Sequence, residues 1–96
     1  MRNYSDYAEK AKATYEKYHK GRKTTENSAE RDQVIRLATD ILAQRGGFSR
    51  GGGFTQAIID NDLYGAVSTG EREMMQYLPF FVYVNINAVS ININQA

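Results

Sequence analysis

The sequence contains no cysteine and no tryptophan, and it has one proline and one histidine. Without cysteine the chain has neither a disulfide nor a thiolate zinc site. Its longest apolar run, "YLPFFVYV", is too short to cross a bilayer, and its first residues, "MRNYSDYAEK", lack the apolar segment of a signal peptide. The sequence therefore predicts a cytoplasmic protein that makes no membrane contact.

The size and charge of the chain limit the number of domains and the kinds of partner that it can have. Its 96 residues are 42% hydrophobic and carry a net charge of +1, which is typical of one domain over residues 1–96. Because so short a chain buries a limited fraction of its surface, we expect a homo-oligomer. Residues 1–23 hold seven basic and three acidic residues, a net +4, which leaves −3 for the remainder. This basic segment either attracts an anionic partner or is simply solvated.

Helical spacing of apolar residues predicts a mostly α fold, a small bundle of about four helices. Residues 1–23 form a basic amphipathic helix, and residues 28–45 form a core helix that ends at Gly46 in the left-handed conformation. The core helix carries its apolar residues on one side, namely Val34, Leu37, Ala38, Ile41 and Leu42. In the first helix the residues along one side are mainly tyrosines, whose rings are apolar and whose hydroxyls need hydrogen-bond partners. That face is predicted to contact another subunit or a partner through Tyr4, Tyr7, Tyr15, Lys17 and Tyr18.

The C-terminal half is predicted from local signals. A glycine-rich loop over residues 46–53 precedes a helical region over residues 54–88, and Asn61 and Asp62 can end one helix and start the next. Ser68 and Glu71 have the spacing of a capping box, which predicts a last helix from near Thr69.

The segment "FFVYVNINAVSININ" is ambiguous. Its β-branched and aromatic composition favours a strand, and Pro79 would kink or end a helix there. Residues 89–96 are expected to form an extended tail or a short β element.

A resemblance supports the helical alternative. Residues 52–66, "GGFTQAIIDNDLYGA", resemble a motif of small uncharacterised phage- and prophage-borne proteins, G-G-F-x-x-A-[VI]-[LI]-x-N-D-L-x-x-A. The resemblance extends over the C-terminal half and implies that residues 70–88 are helical. It also implies a mobile-element setting, where small proteins commonly bind and block host defence components or their nucleotide signals, and therefore a location in the cytoplasm of the host cell.

The sequence contains no recognisable catalytic motif. The glycine-rich loop lacks the lysine of a P-loop, and it does not follow a strand as a dinucleotide fingerprint would. His19 lies among lysines, where a solvated imidazole is expected, and Asp60 and Asp62 lack the further ligands that a metal site needs. We therefore predict a protein that is not an enzyme and holds no cofactor or metal.

The glycine-rich loop itself suggests an anion site. Five of the eight glycines lie between residues 46 and 53, and backbone N–H groups at a helix start attract anions without a special side chain. The predicted ligand-binding residues are Arg45, Arg50, Gly51, Gly52, Gly53 and Thr55. The alternative is a tight connection between helices in which Phe48 and Phe54 pack inward.

Two functional hypotheses follow. In the first, the protein is a phage counter-defence protein that sequesters a nucleotide-like anionic signal in an oligomer. In the second, it is an anti-CRISPR-like inhibitor that docks its Tyr/Lys helix face on a host defence complex. A virion component is a third alternative, and nucleic acid fits less well because the basic excess is small.

Overall fold

The computed structural model describes residues 4–20, 28–48 and 52–93, with side chains up to residue 87. Over these ranges the chain forms five α-helices and one 3-10 helix, and no strand. The helices are α1 (Tyr4–His19), α2 (Ser28–Arg45), α3 (Gly53–Ile59), α4 (Leu63–Thr69), the 3-10 helix (Arg72–Tyr77) and α5 (Leu78–Ile93). The mostly α prediction is confirmed.

Helix α2 is the centre of the fold and has the predicted bounds. Its apolar residues recur every three or four positions, so Val34, Ala38, Ile41 and Leu42 are buried together and Leu37 packs at their edge. Helices α1, α3 and α5 all pack against it.

The chain leaves α2 through a Schellman motif, one residue later than predicted. Gly47, and not Gly46, has the left-handed conformation, with φ of 77°. The amide of Phe48 donates to the carbonyl of Ala43 at 2.8 Å, and the amide of Gly47 donates to Gln44 at 3.0 Å. Gly46 still donates to Leu42 as a helical residue would, which is why the left-handed residue is the next one.

Asn61 and Asp62 end α3 and start α4, as predicted. Asn61 has a positive φ of 59°, and the Asp62 amide donates to the carbonyl of Ala57 at 2.8 Å, so the motif at the end of α2 is repeated here with asparagine. The carboxylate of Asp62 then accepts from the amide of Gly65, which caps the start of α4.

The predicted capping box between Ser68 and Glu71 is wrong. Ser68 lies inside α4 and donates to the carbonyl of Gly65 at 3.2 Å. Glu71 instead accepts a hydrogen bond from Gln33 of α2 at 3.1 Å, so its carboxylate serves a tertiary contact. The next helical segment accordingly begins at Arg72, not near Thr69.

The ambiguous C-terminal segment is helical, and the expectation of a tail or β element from residue 89 is wrong as far as Ile93. Pro79 stands in the first turn of α5, where a missing N–H breaks no helical hydrogen bond. Phe80, Phe81 and Val84 are buried at helical spacing, and Phe81 meets the ring of Phe54 edge-on at 5.4 Å. Packing on α2 and α3 therefore overrides the strand-like composition.

Candidate functional site

The predicted anion site falls partly outside the described residues, because Arg50 and Gly51 lie there. Gly52 and Gly53 are exposed at the start of α3, and Gly52 is its N-cap without a side-chain cap hydrogen bond. Arg45 is half-buried at the end of α2. The anion site stays a prediction.

Thr55, the predicted hydroxyl ligand, is committed to contacts within the fold. The residue is 2% exposed, and its hydroxyl lies within hydrogen-bond distance of Gln44 Oε1 and of the Gly52 carbonyl. Gln44 in turn donates to Gln56 Oε1 at 2.9 Å, and Gln56 donates to Asp60 at 3.0 Å. This row of polar side chains joins the end of α2 to α3 and leaves Thr55 turned inward.

The two phenylalanines beside the glycine-rich loop differ in burial. Phe54 is buried in the core, whereas Phe48 stays half exposed and lies over the rings of Tyr4 and Tyr7, with centroids 6.2 and 5.9 Å away. The inward-packing alternative therefore holds for Phe54.

The tyrosine face of α1 is directed mainly into its own chain. Tyr7 and Tyr15 are buried, and Tyr18 is half-buried against Phe80 and Tyr83 at 5.3 and 5.0 Å. The prediction that Tyr7 and Tyr15 contact a partner at the surface does not agree with the burial of these two residues. Their rings belong to the hydrophobic core between α1 and the rest of the bundle, together with Ala11.

Other members of that predicted face lie at the surface. Lys17 is exposed. Tyr4 is partly exposed and donates to Asp40 Oδ1 at 2.8 Å. Burial and the hydrogen bond to the Asp40 carboxylate raise the pKa of Tyr4 to about 12.

His19 is also packed against aromatic rings, whereas the sequence predicted a solvated imidazole. Its imidazole is half-buried, with its centroid 4.1 Å from that of Tyr15 and 5.3 Å from that of Phe80. Its Nδ1 lies 2.9 Å from the Tyr15 carbonyl oxygen, so the ring contributes to packing at the end of α1.

Helix α4 has an unusual distribution of apolar side chains. Of its seven residues only Ala66 is buried, while its largest side chains point to solvent. Helices on a protein surface normally bury their apolar side and expose their polar side. In α4 the exposed fractions are 69% for Leu63, 85% for Tyr64 and 53% for Val67.

Helix α5 adds to the same surface. Val82 is 44% exposed and Ile86, one turn further on, is 64% exposed. Between α4 and this side of α5 runs a groove of about 450 Å³, with α3 as its floor. It is lined by Ala57, Ile58, Asn61, Asp62, Leu63, Ala66, Leu78, Pro79 and Val82. We call this the α4–α5 groove.

The α4–α5 groove is apolar and nearly uncharged. Asp62 is the charged residue in its lining, and its carboxylate is held at the start of α4 by the amide of Gly65 at 2.9 Å. Small side chains at Ala57 and Ala66 give the groove its depth. A surface of this composition can bind an apolar side chain or helix face, since burial removes both apolar surfaces from water.

Sequence reasoning missed this surface. Apolar residues of a helix are expected to point inward, and the spacing of Leu63 and Val67 does not indicate that they face solvent. A signal was present in α5, where Pro79, Val82 and Ile86 form a second apolar stripe beside the buried one.

Within the described ranges, no three His, Cys, Asp or Glu side chains are grouped as metal ligands would be. None of the helices described there has both the length and the apolar character needed to span a membrane. No family model, no curated protein and no solved structure matches the chain.

Proposed function

We propose that this protein is a non-enzymatic binding protein that acts by protein–protein contact, and that the α4–α5 groove receives the apolar face of a helix. The observation that carries the proposal is the inverted exposure of α4, whose Leu63, Tyr64 and Val67 are in water while Ala66 is buried. An exposed apolar surface of this kind usually marks an interaction site.

A helix suits the groove better than a small apolar molecule does. The apolar surface does not stop at the groove but continues along α4 to Val67 and along α5 to Ile86. Helix-in-groove recognition uses anchors spaced over several turns, and these two walls provide apolar contacts over more than one turn each.

This proposal belongs to the second class of hypotheses from the sequence, an inhibitor that binds a protein, but it uses a different surface. Tyr7 and Tyr15 lie in the core, which makes the α1 face less suited to docking. The phage counter-defence setting is also proposed, and its support is the resemblance of residues 52–66 to phage-borne proteins. Sequestration of a nucleotide-like anion by the glycine-rich loop remains a separate prediction.

A helical peptide probe tests the groove. The probe is a fluorescein-labelled amphipathic peptide with leucine on one face and lysine on the other, and a peptide of the same composition in scrambled order is its control. We expect the amphipathic peptide to bind, as measured by fluorescence anisotropy, and the scrambled peptide to bind at least about tenfold more weakly, because burial of one leucine contributes roughly 1.5–3 kcal/mol.

Two variants locate the binding. Leu63→Gln removes an exposed apolar side chain from the groove, and Ala13→Gln makes a similar uncharged change at an exposed position of α1. Leu63→Gln should weaken binding about tenfold and Ala13→Gln should not change it. Equal affinity of the Leu63→Gln variant and the unaltered protein would exclude the groove as the binding site.

A further inference from the structure

The outward side of α5 has the spacing of a coiled-coil seam. Pro79, Val82 and Ile86 are exposed and are separated by three and then four residues. In the sequence Val89 and Ile93 continue this alternation within the same helix. Apolar residues at alternating intervals of three and four, with valine and isoleucine among them, are typical of helices that pair with other helices.

The same part of the chain contains no charge. No Asp, Glu, Lys or Arg occurs from Met74 to Ala96, although the chain has 23 such residues in total. Exposed faces of helices normally carry charged residues, and a helix that is apolar around its circumference is normally buried. Two copies of such a surface can meet without like charges facing each other.

The exposed apolar area is close to that of a stable interface. The exposed side chains of Leu63, Tyr64, Val67, Val82 and Ile86 together present roughly 600 Å², if a fully exposed side chain of this size has about 200 Å². A standard stable interface buries about 800 Å² on each partner. Pro79, which is also exposed and lines the groove, adds to this area.

We infer that the helix that occupies the α4–α5 groove is α5 of a second copy of this chain, so that the protein forms a two-fold symmetric dimer. This inference rests on the proposed function, because it uses the same groove. A two-fold interface requires one surface to be complementary to itself. Helix α5 meets that requirement, since it forms one wall of the groove and also carries the projecting side chains Val82 and Ile86.

The size of the chain agrees with this arrangement. A protein of 96 residues has a small core, and covering the exposed apolar side chains of α4 and α5 would add a second buried cluster shared by both subunits. The dimer would thus bury α5 on both sides.

The test is the oligomeric state of the full chain, measured by sedimentation velocity over a wide range of protein concentrations. Ile86→Glu places a charge in the seam of each copy, and Ala13→Glu introduces the same charge at an exposed position of α1. We expect a dimer for the unaltered protein and for Ala13→Glu, and at least a tenfold weaker association for Ile86→Glu.

A crosslinking experiment covers the case in which Ile86→Glu fails to fold, which circular dichroism would reveal. Because the chain has no cysteine, Ile86→Cys and Ala13→Cys each carry one thiol. A short bismaleimide should crosslink two copies of the Ile86→Cys variant and should not crosslink the Ala13→Cys variant, whose thiols lie outside the proposed interface. Equal crosslinking of the two variants overturns the inference.

The outcomes separate this inference from the proposed function. If the protein is monomeric at all concentrations but binds the leucine–lysine peptide in a manner that Leu63→Gln weakens, the second copy is excluded and the groove function stands. If the protein is monomeric and the peptide does not bind, both are overturned. If the protein is a dimer, the peptide competes with α5 of the second copy, so the inference predicts that peptide binding weakens as the protein concentration rises through the dissociation constant of the dimer. A dimer that a folded Ile86→Glu variant leaves intact, or a trimer, also overturns the inference.

Discussion

The carboxylate of Asp62 accepts a hydrogen bond from the amide nitrogen of Gly65 at 2.9 Å and thereby begins helix α4. The two residues fit closely, because a Cβ atom at Gly65 would lie 2.9 Å from the carboxyl carbon of Asp62. This contact places α4 over α3 and so forms one wall of the α4–α5 groove.

Loss of that cap should destabilise the protein. Asp62→Ala leaves the first N–H groups of α4 without a side-chain acceptor and should lower the free energy of unfolding by about 1 kcal/mol. Asp62→Asn keeps an acceptor oxygen and should retain most of the stability. Urea unfolding followed by circular dichroism measures both, and equal losses in the two variants would contradict the capping role.

Three consecutive residues of α5, namely Phe80, Phe81 and Val82, distinguish a helix from a strand that is buried on one side. Phe81 is fully buried and Val82 is exposed. Phe81→Ala should cost about 3–5 kcal/mol, whereas Val82→Ala in dilute protein should change the free energy of unfolding by about 0.5 kcal/mol or less.

Phe80 supplies the control for this comparison. It is as deeply buried as Phe81, so Phe80→Ala should be comparably destabilising. In a strand, residues 80 and 82 would share one side and residue 81 the other. A strand buried on one side would bury residue 80 or residue 81 but not both, so a tolerated Phe80→Ala or a tolerated Phe81→Ala would contradict the helix.

Gly70 is predicted to tolerate no side chain. A Cβ atom there would lie 2.6 Å from Cδ1 of the buried Phe54 ring and would also collide with Cε of Met75. Gly70→Ala should therefore destabilise the protein by roughly 1–3 kcal/mol. Gly53→Ala is the matched control, because its Cβ would make an ordinary contact of 3.8 Å with Thr69 and should be neutral or stabilising. Thermal unfolding compares the two variants, and a harmless Gly70→Ala would contradict the packing of Phe54.

The hydrogen bond between Tyr4 and Asp40 should give a stability difference that depends on pH. The pKa of Tyr4 is raised from 10.0 to about 12 in the folded protein, so folding favours the neutral phenol. Its contribution is fully present below pH 10 and is lost as the pH rises through about 12.

Tyr4→Phe isolates this contribution. The variant should be less stable than the unaltered protein by about 1 kcal/mol at neutral pH, and the difference should shrink above pH 10. Urea unfolding at a series of pH values measures the difference. A difference that stays constant up to pH 12 would contradict the raised pKa of Tyr4.

Much of the fold follows from local sequence signals. The bounds of α2 were predicted because its apolar residues keep strict helical spacing and its ends carry suitable charges. The break between α3 and α4 was predicted from Asn61 and Asp62, whose short polar side chains favour a left-handed residue and an N-cap. In both cases the determining interactions lie within a few residues along the chain.

The wrong predictions concern segments whose structure is determined by contacts with residues far away in the sequence. Glu71 has the spacing of a capping box, but its carboxylate bonds Gln33, which is 38 residues away. Composition favoured a strand for residues 80–94, because the composition of a segment carries no information about the rings from elsewhere in the chain that pack on it, here Tyr15, Tyr18 and Phe54 on α5. The α4–α5 groove was missed for a related reason, since an apolar residue in a sequence does not indicate which side of a helix the fold leaves uncovered.

The central position of α2 has a consequence for local opening of the protein. Helix α2 is packed by α1, α3 and α5, so its middle turns around Ala38 cannot reach solvent unless at least one neighbour detaches. Amide hydrogens there should exchange with deuterium last, at a rate set by opening of the whole molecule, while those of α4 exchange much earlier.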